Sequence, residues 1–373
     1  MKPPMPPPAP VVDYATIAEK VVATSANVKE GEIVHIIGGP QDLALLEEIV
    51  VAVRKRGAHT IFTLDSESLQ KKLIAAVPDK YDAVEQKALL ALSKVVNVVI
   101  ELSPIRDPNI YAALPAERRA KQDKARQPAF DALLKRKIRV VSIGNGFEPS
   151  PVRAKELGIT EGELTKLFWD GLNADYTTVQ AKCDALKTTL AAGKELKITH
   201  ANGTDLTIKL KGKKVATSDG VITAADIKAG GPGIQVWLPA GEAYLLPGAA
   251  DGKLVDERVI TEGKVVEGLA IELKAGKATS LTAKAGWDAV KARYDLAGPG
   301  KNELSLVDFG CNPAVKSAGK FESYVAAGTL TLGFGGNSWA GGTNKEPYSL
   351  HLHLPGTNVL LDGKPLIKDG SLQ

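Results

Sequence analysis

The fold class predicted for this chain is α/β, with an N-terminal α/β domain on a largely parallel sheet and a C-terminal β-rich α+β domain. Three observations predict it. Helix-like and strand-like segments alternate through the first half, short strands separated by glycine turns fill the second half, and 373 residues exceed the usual size of one core. We expect a disordered lead-in over residues 1–11, the first domain over 12–180 and the second over 181–373.

The first half repeats a helix-then-strand unit. After the proline-rich MKPPMPPPAP, which lacks the apolar run of a signal peptide, DYATIAEKVVATSANV has helical spacing and leads into the apolar EIVHIIGG. The next helix, PQDLALLEEIVVAVRKRGA, begins with Pro and Asp and ends with basic residues and Gly, as helix ends prefer. HTIFTLD, VVNVVIEL and IRVVSIGNG follow as strands, which predicts a largely parallel sheet.

The second half has the pattern of antiparallel strands. KELKITHANGTDLTIKLKGKK alternates apolar and polar residues around Asn202-Gly203, a strong hairpin signal. Further strands are predicted at GIQVWLPAG, AYLLPG, KLVDERVI and GLAIELKAGKATSLTAK, with one helix near residues 285–296. The glycine-rich LGFGGNSWAGGTN lacks the strand-to-helix pattern of a phosphate loop and is interpreted as a flexible loop.

Composition narrows the classes of partner and compartment. The net charge is +4 with dispersed Lys and Arg and 5% aromatic residues, which disfavours a nucleic-acid surface, and no apolar run approaches the roughly 20 residues of a membrane span. Cys183 and Cys311 lack a CxxC spacing and lie in different halves, so they support neither a disulfide framework nor a zinc knuckle. A cytoplasmic location is favoured, and an exported mature form stays open.

The strand SLHLHL brings two of the five histidines together. Because strand side chains alternate between faces, His351 and His353 should share one face, with Leu350, Leu352 and Leu354 on the other. Two imidazoles spaced in this way can bind one metal ion. The alternative is an ordinary strand with a solvated face.

Carboxylates near strands could complete a metal site. Glu242 lies in LPAGEAYLLPG, and Glu303 and Asp308 lie in KNELSLVDFGCNP. Oxygen and nitrogen donors together suit Zn, Fe(II), Mn or Co, whereas Ca and Mg prefer oxygen alone. A glutamate after a glycine is more often an ordinary turn or surface residue, so these carboxylates alone do not decide the matter.

A resemblance covers nearly the whole chain after the lead-in. EGEIVHIIGG, NGTDLTIKL, LPAGEAYLLP, NELSLVDFGCNP, AAGTLTLGFGGN and HLHL with LLDGKPLIKDG occur in the order seen in the M29 family of two-metal aminopeptidases. The chain is also similar to the 2,5-dihydroxypyridine dioxygenases, which share that scaffold and use one iron. The resemblance implies a metal site in the C-terminal domain and a homodimer.

Four residues are metal ligands by this resemblance. Glu242 matches the first metal glutamate of the family and is a ligand or the catalytic general base, and Glu303 matches the second. His351 matches the first residue of the terminal H-x-D pair, and His353 replaces the aspartate of that pair.

Two departures from the family pattern bear on the reaction. Thr331 stands where the family has a histidine, and the tyrosine expected shortly afterwards is replaced around Ser338, so that Tyr348 is the candidate to fill its catalytic place. Loss of a ligand at Thr331 and of a negative charge at His353 should weaken or remove a second metal ion.

The sequence thus predicts a metal-dependent hydrolase resembling the M29 aminopeptidases. A water bound to Zn, Mn or Co would attack an amide or short-peptide substrate. One alternative is an Fe(II) ring-cleaving dioxygenase, since two histidines and one carboxylate form the facial triad of such enzymes. A further alternative is a degenerate binding protein without catalysis.

Overall fold

The structure is a computed structural model that describes residues 12–315 and 323–373, so the lead-in predicted over residues 1–11 lies outside the described residues. The described part is mixed α/β, as the sequence predicts, and contains two sheets. One sheet is parallel, and most of its strands and the helices between them come from the first half of the chain. The other sheet is antiparallel and is formed by the second half.

The first half alternates helices and strands as expected. Its elements are α1 (Tyr14–Lys20), β1 (Ile33–Gly38), α2 (Leu43–Lys55), β2 (His59–Leu64), α3 (Glu67–Ala76), α4 (Lys87–Leu92), β3 (Val98–Leu102), α5 (Ala116–Lys135), β4 (Arg139–Ile143), α6 (Pro151–Leu157), α7 (Glu161–Asn173) and α8 (Tyr176–Ala192). Local chemistry sets several ends. At α7, Thr160 and Glu163 form a reciprocal capping box that satisfies two free backbone N–H groups.

The second half is mostly strand. Its elements are β5 (Glu195–Thr199), β6 (Asp205–Ser218), α9 (Ala224–Ala229), β7 (Gln235–Leu238), β8 (Glu242–Thr261), β9 (Lys264–Lys274), β10 (Lys277–Thr282), α10 (Asp288–Leu296), β11 (Leu304–Gly310), β12 (Leu330–Gly335), β13 (Ser349–Leu354), β14 (Asn358–Leu361), β15 (Lys364–Lys368) and β16 (Ser371–Leu372). The hairpin predicted at Asn202-Gly203 is confirmed, because β5 and β6 pair antiparallel around it.

The strand order explains how the two sheets are joined. The parallel sheet has the order β2-β1-β3-β4-β7, and the antiparallel sheet runs β13-β12-β11-β8-β6-β5-β14-β15-β16, with β9 and β10 attached to β8. Strand β7 comes from beyond residue 181 yet pairs with β4 in the parallel sheet. The division at residues 180 and 181 stays a prediction, and β7 is the strand that crosses it.

The chain passes from one sheet to the other through a short turn between β7 and β8. Gly241 has a φ of +138°, and a Cβ there would lie 2.4 Å from the Cβ of Asn312, so a larger residue does not fit. The N–H of Gly241 donates to the Ser218 carbonyl at 2.8 Å, and its own carbonyl accepts from the N–H of Cys311 at 2.8 Å. The turn is thereby held against β6 and the end of β11, which fixes the first residue of β8, Glu242.

The two cysteines correct an expectation from the sequence. Cys183 on α8 and Cys311 after β11 form a disulfide with a Cα–Cα separation of 5.8 Å. Spacing gave no sign of it, because the two residues are 128 positions apart and meet only when α8 packs on the antiparallel sheet. In the described residues, no helix is long and apolar enough to cross a membrane.

The disulfide predicts a measurable stabilisation. Replacing both cysteines, Cys183→Ala with Cys311→Ala, should lower the free energy of unfolding by about 2–4 kcal/mol, because the unfolded chain loses a long cross-linked loop. Urea unfolding of the two proteins measures this difference. A reductant should destabilise the wild type and leave the double variant unchanged, and two free thiols in the unreduced, unfolded wild type would contradict the bond.

Candidate active site

The candidate site lies on one face of four neighbouring antiparallel strands. The register places Tyr244 on β8 opposite Asp308 on β11, Asp308 opposite Thr331 on β12, and Thr331 opposite His353 on β13. Paired residues on neighbouring strands point to the same face. These four side chains therefore form a row across the sheet.

The two histidines share this face, as the alternation in the sequence predicts. His351 and His353 are partly buried on this face. Leu350, Leu352 and Leu354 are fully buried on the opposite face. Burial lowers the pKa of His351 to about 4 and that of His353 to about 3. Both rings are thus neutral at pH 7, and their surroundings are not those of a solvated strand.

Two buried carboxylates face the same space. Glu242 is 4% exposed and Asp308 is 3% exposed. Burial raises the pKa of Glu242 to about 7, while hydrogen bonds from Asn145 and Ser218 oppose the shift. Burial and the charge of Glu242 raise the pKa of Asp308 well above its usual value. Asp308 Oδ1 has no hydrogen-bond partner among the described residues.

Neighbouring polar groups hold the candidate donors in place. Asn145, which follows β4, donates from Nδ2 to Glu242 Oε1 at 3.0 Å and to the Pro239 carbonyl at 2.9 Å. Thr331 Oγ1 and His353 Nδ1 share a hydrogen bond of 2.8 Å. The Tyr324 ring packs edge-on against the His353 ring, with centroids 4.3 Å apart.

A cavity of about 530 Å³, the central cavity, lies between this face, the parallel sheet and α5. Its polar side includes Glu242, Asp308, His351 and Tyr324. Its apolar side is formed by residues from α5, both sheets and the glycine-rich loop, including Val99, Phe130, Leu133, Val140, Trp237, Leu306 and Trp339. The cavity volume suits a small-molecule ligand.

The structure does not bring two of the predicted site residues to this cavity. Glu303 precedes β11, its side chain is 44% exposed, and it contacts Lys277 at 3.7 Å and Asn344 at 3.2 Å. Asp308, five residues later, supplies the buried carboxylate instead. An acid inside the mostly apolar strand LSLVDFG was the sequence signal for it.

Tyr348 also lies elsewhere. It precedes β13 and follows the alternation of the buried leucines, not that of the histidines. Its ring packs against Tyr294, with ring centroids 5.8 Å apart, and it lines a separate cavity with Arg293 and Glu346. The tyrosines beside the histidines and carboxylates are Tyr324 and Tyr244. Both reach the site through strand pairing or loop position, which the sequence pattern did not reveal.

Comparison of the whole structure with solved structures finds two extensive likenesses. Wild-type AmpT from Thermus thermophilus, an M29 aminopeptidase, matches with a TM-score of 0.69 at 18% identity, over 96% of this chain and 98% of AmpT. The 2,5-dihydroxypyridine dioxygenase from Pseudomonas putida KT2440 matches with a TM-score of 0.62 at 16% identity, over 98% of each chain.

This chain has their fold. The resemblance predicted from the sequence is confirmed at that level, over nearly the whole chain. No protein family model matches the sequence, and no curated protein matches it. Both structural neighbours are enzymes, and since one fold supports both of them, the reaction has to be argued from the site.

The raised pKa of Glu242 predicts a pH effect on stability. A carboxyl whose pKa rises from 4.5 to about 7 on folding carries no penalty below pH 4.5 and its full penalty above about pH 7. In metal-free protein, Glu242→Gln should therefore gain stability relative to the wild type as the pH rises through this window. Denaturant unfolding at several pH values, with Glu303→Gln as the matched control, measures it. Parallel wild-type and Glu242→Gln curves would contradict the shift.

Proposed function

We propose that this protein is a metal-dependent hydrolase of the aminopeptidase type, acting on an amide or short-peptide bond in the central cavity. The observation that carries the proposal is the donor set on the sheet face. Two buried carboxylates, Glu242 on β8 and Asp308 on β11, share one sheet face with two neutral imidazoles, His351 and His353 on β13, and β12 lies between β11 and β13.

The chemistry of these donors fits a borderline divalent ion such as Zn, Mn or Co. Neutral imidazoles and carboxylates are the forms that bind such ions, and the free Oδ1 of Asp308 lacks a compensating partner among the described residues. In the described part of the chain, no three His, Cys, Asp or Glu side chains are grouped closely enough to hold an ion. Binding would therefore require Asp308, His351 and His353 to draw together, with Glu242 beside them.

The residues of the chain suit the steps of hydrolysis. A bound divalent ion would supply a water of lowered pKa. Glu242, with a pKa near 7 and its carboxylate oriented by Asn145, can accept a proton from an attacking water and return it to the leaving amine. Burial keeps the Tyr244 hydroxyl protonated, and it has no partner among the described residues, so it can donate to a developing oxyanion.

Metal binding tests this assignment directly. Chelator-treated protein should bind Zn or Mn in calorimetry and melt at a higher temperature with the ion, because only the folded state can bring these donors to one ion. Asp308→Asn and His351→Ala should each weaken binding at least about tenfold. Glu303→Gln is the matched control and should leave the affinity unchanged. A protein that binds no ion, or one whose affinity falls only with Glu303→Gln, would overturn the proposal.

A second candidate is an Fe(II) ring-cleaving dioxygenase. It is favoured by the two-histidine, one-carboxylate set and by the aromatic wall of the cavity, where Trp237 and Trp339 pack edge-on at 5.0 Å. A flat ring suits such a wall.

The two reactions are separated by their need for oxygen. As a hydrolase, the Zn- or Mn-loaded protein should cleave leucinamide equally well in air and under nitrogen. As a dioxygenase, the Fe(II)-loaded protein should consume oxygen with 2,5-dihydroxypyridine and stop when oxygen is removed. Metal binding without either turnover would favour the third prediction, a non-catalytic binding protein. The homodimer and the cellular compartment stay predictions.

A further inference from the structure

The Cys183–Cys311 disulfide lies beside the turn between β7 and β8, which leads directly to Glu242. Three consecutive residues at the end of β11 each contact one residue at this turn. Gly310 pairs with Glu242, the Cys311 N–H donates to the Gly241 carbonyl at 2.8 Å, and Asn312 Nδ2 donates to the Ala240 carbonyl at 2.6 Å. The disulfide joins the middle residue of the three, Cys311, to α8.

Helix α8 also contacts the β6 side of the turn. Its buried residues recur every three or four positions and so lie on one face: Tyr176, Val179, Cys183, Leu186 and Leu190. The Tyr176 ring packs against Gly220, where a Cβ would lie 2.6 Å from ring atom Cδ2. Gly220 follows Ser218, whose carbonyl accepts the N–H of Gly241 at 2.8 Å. One face of α8 therefore supports the turn from both sides.

The covalent bond is the strong connection on the β11 side. Cys183 is 0% exposed and Cys311 is 1% exposed, so a reductant reaches the sulfurs only when the structure opens. Among the described residues, no hydrogen bond joins Cys311 to α8. Without the disulfide, only side-chain packing would connect the two, and the turn would be held less firmly.

We infer that Cys183 and Cys311 are a positioning pair for the candidate active site. Their disulfide holds the turn at Gly241 between α8 and β11, and thereby holds the Glu242 carboxylate at the central cavity. Neither cysteine lines that cavity, so both act through the turn. The inference deepens the proposed function and rests on it, because it takes the central cavity to be the active site.

The positioning depends on a redox step. A phosphine reductant attacks one sulfur and releases the other as a thiolate. Water then releases the first sulfur as a thiol and converts the phosphine to its oxide, so that one disulfide yields two thiols. With the covalent bond lost, the turn should open more often while the strands on either side stay paired.

Hydrogen exchange in metal-free protein tests the inference without a ligand. Gly241 and Gly276 are matched glycines at positive φ in turns, and the N–H of each donates to a carbonyl at 2.8 Å. In the double variant Cys183→Ala with Cys311→Ala, the exchange rate at Gly241 should rise at least about tenfold relative to that at Gly276. Phosphine should raise this ratio in the wild type and leave the double variant unchanged.

Leu190→Ala is the matched control, because it removes packing from the same face of α8 and should destabilise the fold by a similar amount. It should leave the ratio of exchange rates at Gly241 and Gly276 within about twofold of the wild type. A ratio that stays unchanged in the double variant, or that rises equally in Leu190→Ala, would overturn the inference.

Zinc affinity then tests whether the turn matters to the site. In calorimetry, the double variant should bind zinc at least about tenfold more weakly than the wild type, and Leu190→Ala within about twofold of it. The double variant is used here because free thiols in the reduced wild type would themselves bind zinc. Equal zinc affinity in the wild type and the double variant would overturn the inference.

Failure of the inference is distinguishable from failure of the proposed function. A wild type that binds no zinc and cleaves no amide, with an exchange ratio that still rises in the double variant, would remove the hydrolase and leave the disulfide as the support of the turn. Zinc-dependent cleavage that is equal in the wild type and the double variant would leave the hydrolase and remove the inference.

Discussion

The rest of the site depends on the turn that carries the chain from the parallel sheet to the antiparallel one. Asn312 donates to the Ala240 carbonyl at 2.6 Å, and its side chain lies so close to Gly241 that no Cβ fits there. This contact fixes the start of β8, and with it the Glu242 carboxylate, against Asn145 at the end of β4. One backbone constraint thereby places an acid from one sheet beside an amide from the other, and the cavity lies where the two sheets meet.

The buried acids of the cavity lower the stability of the folded protein when no cation is bound. Burial disfavours the charged forms of both acids, and the charge of Glu242 adds to this effect at Asp308, so the pKa values of Glu242 and Asp308 rise. Such an arrangement lowers stability unless a cation compensates it, and strongly shifted groups of this kind cluster at functional sites. Under the proposed function, a divalent ion near Asp308 would compensate part of this cost.

The sequence could predict what is local in the chain. Periodicity of two placed His351 and His353 on one face, and alternating helix and strand patterns predicted the parallel sheet. It could not predict strand register, which decides that Asp308 rather than Glu303 lies in the same row as Tyr244 and Thr331. Tyr348 lies away from the cavity for a related reason, since it shares the alternation of the core leucines in β13 and not that of the histidines. The disulfide depends on helix-to-sheet packing across 128 residues, which spacing does not reveal.

The row across β11, β12 and β13 also bears on how many ions such a site can hold. Asp308 and His353 lie two strands apart, about 10 Å at their Cα atoms, with Thr331 between them. The Thr331 hydroxyl shares a hydrogen bond with His353 Nδ1, and threonine supplies no imidazole nitrogen in the middle of the row. If the Nδ1–H of His353 donates to Thr331, the Nε2 lone pair is left free for an ion. A histidine at position 331 would add a donor in the middle of the row and favour a second ion. Under the proposed function, threonine at this position therefore favours one bound ion over two.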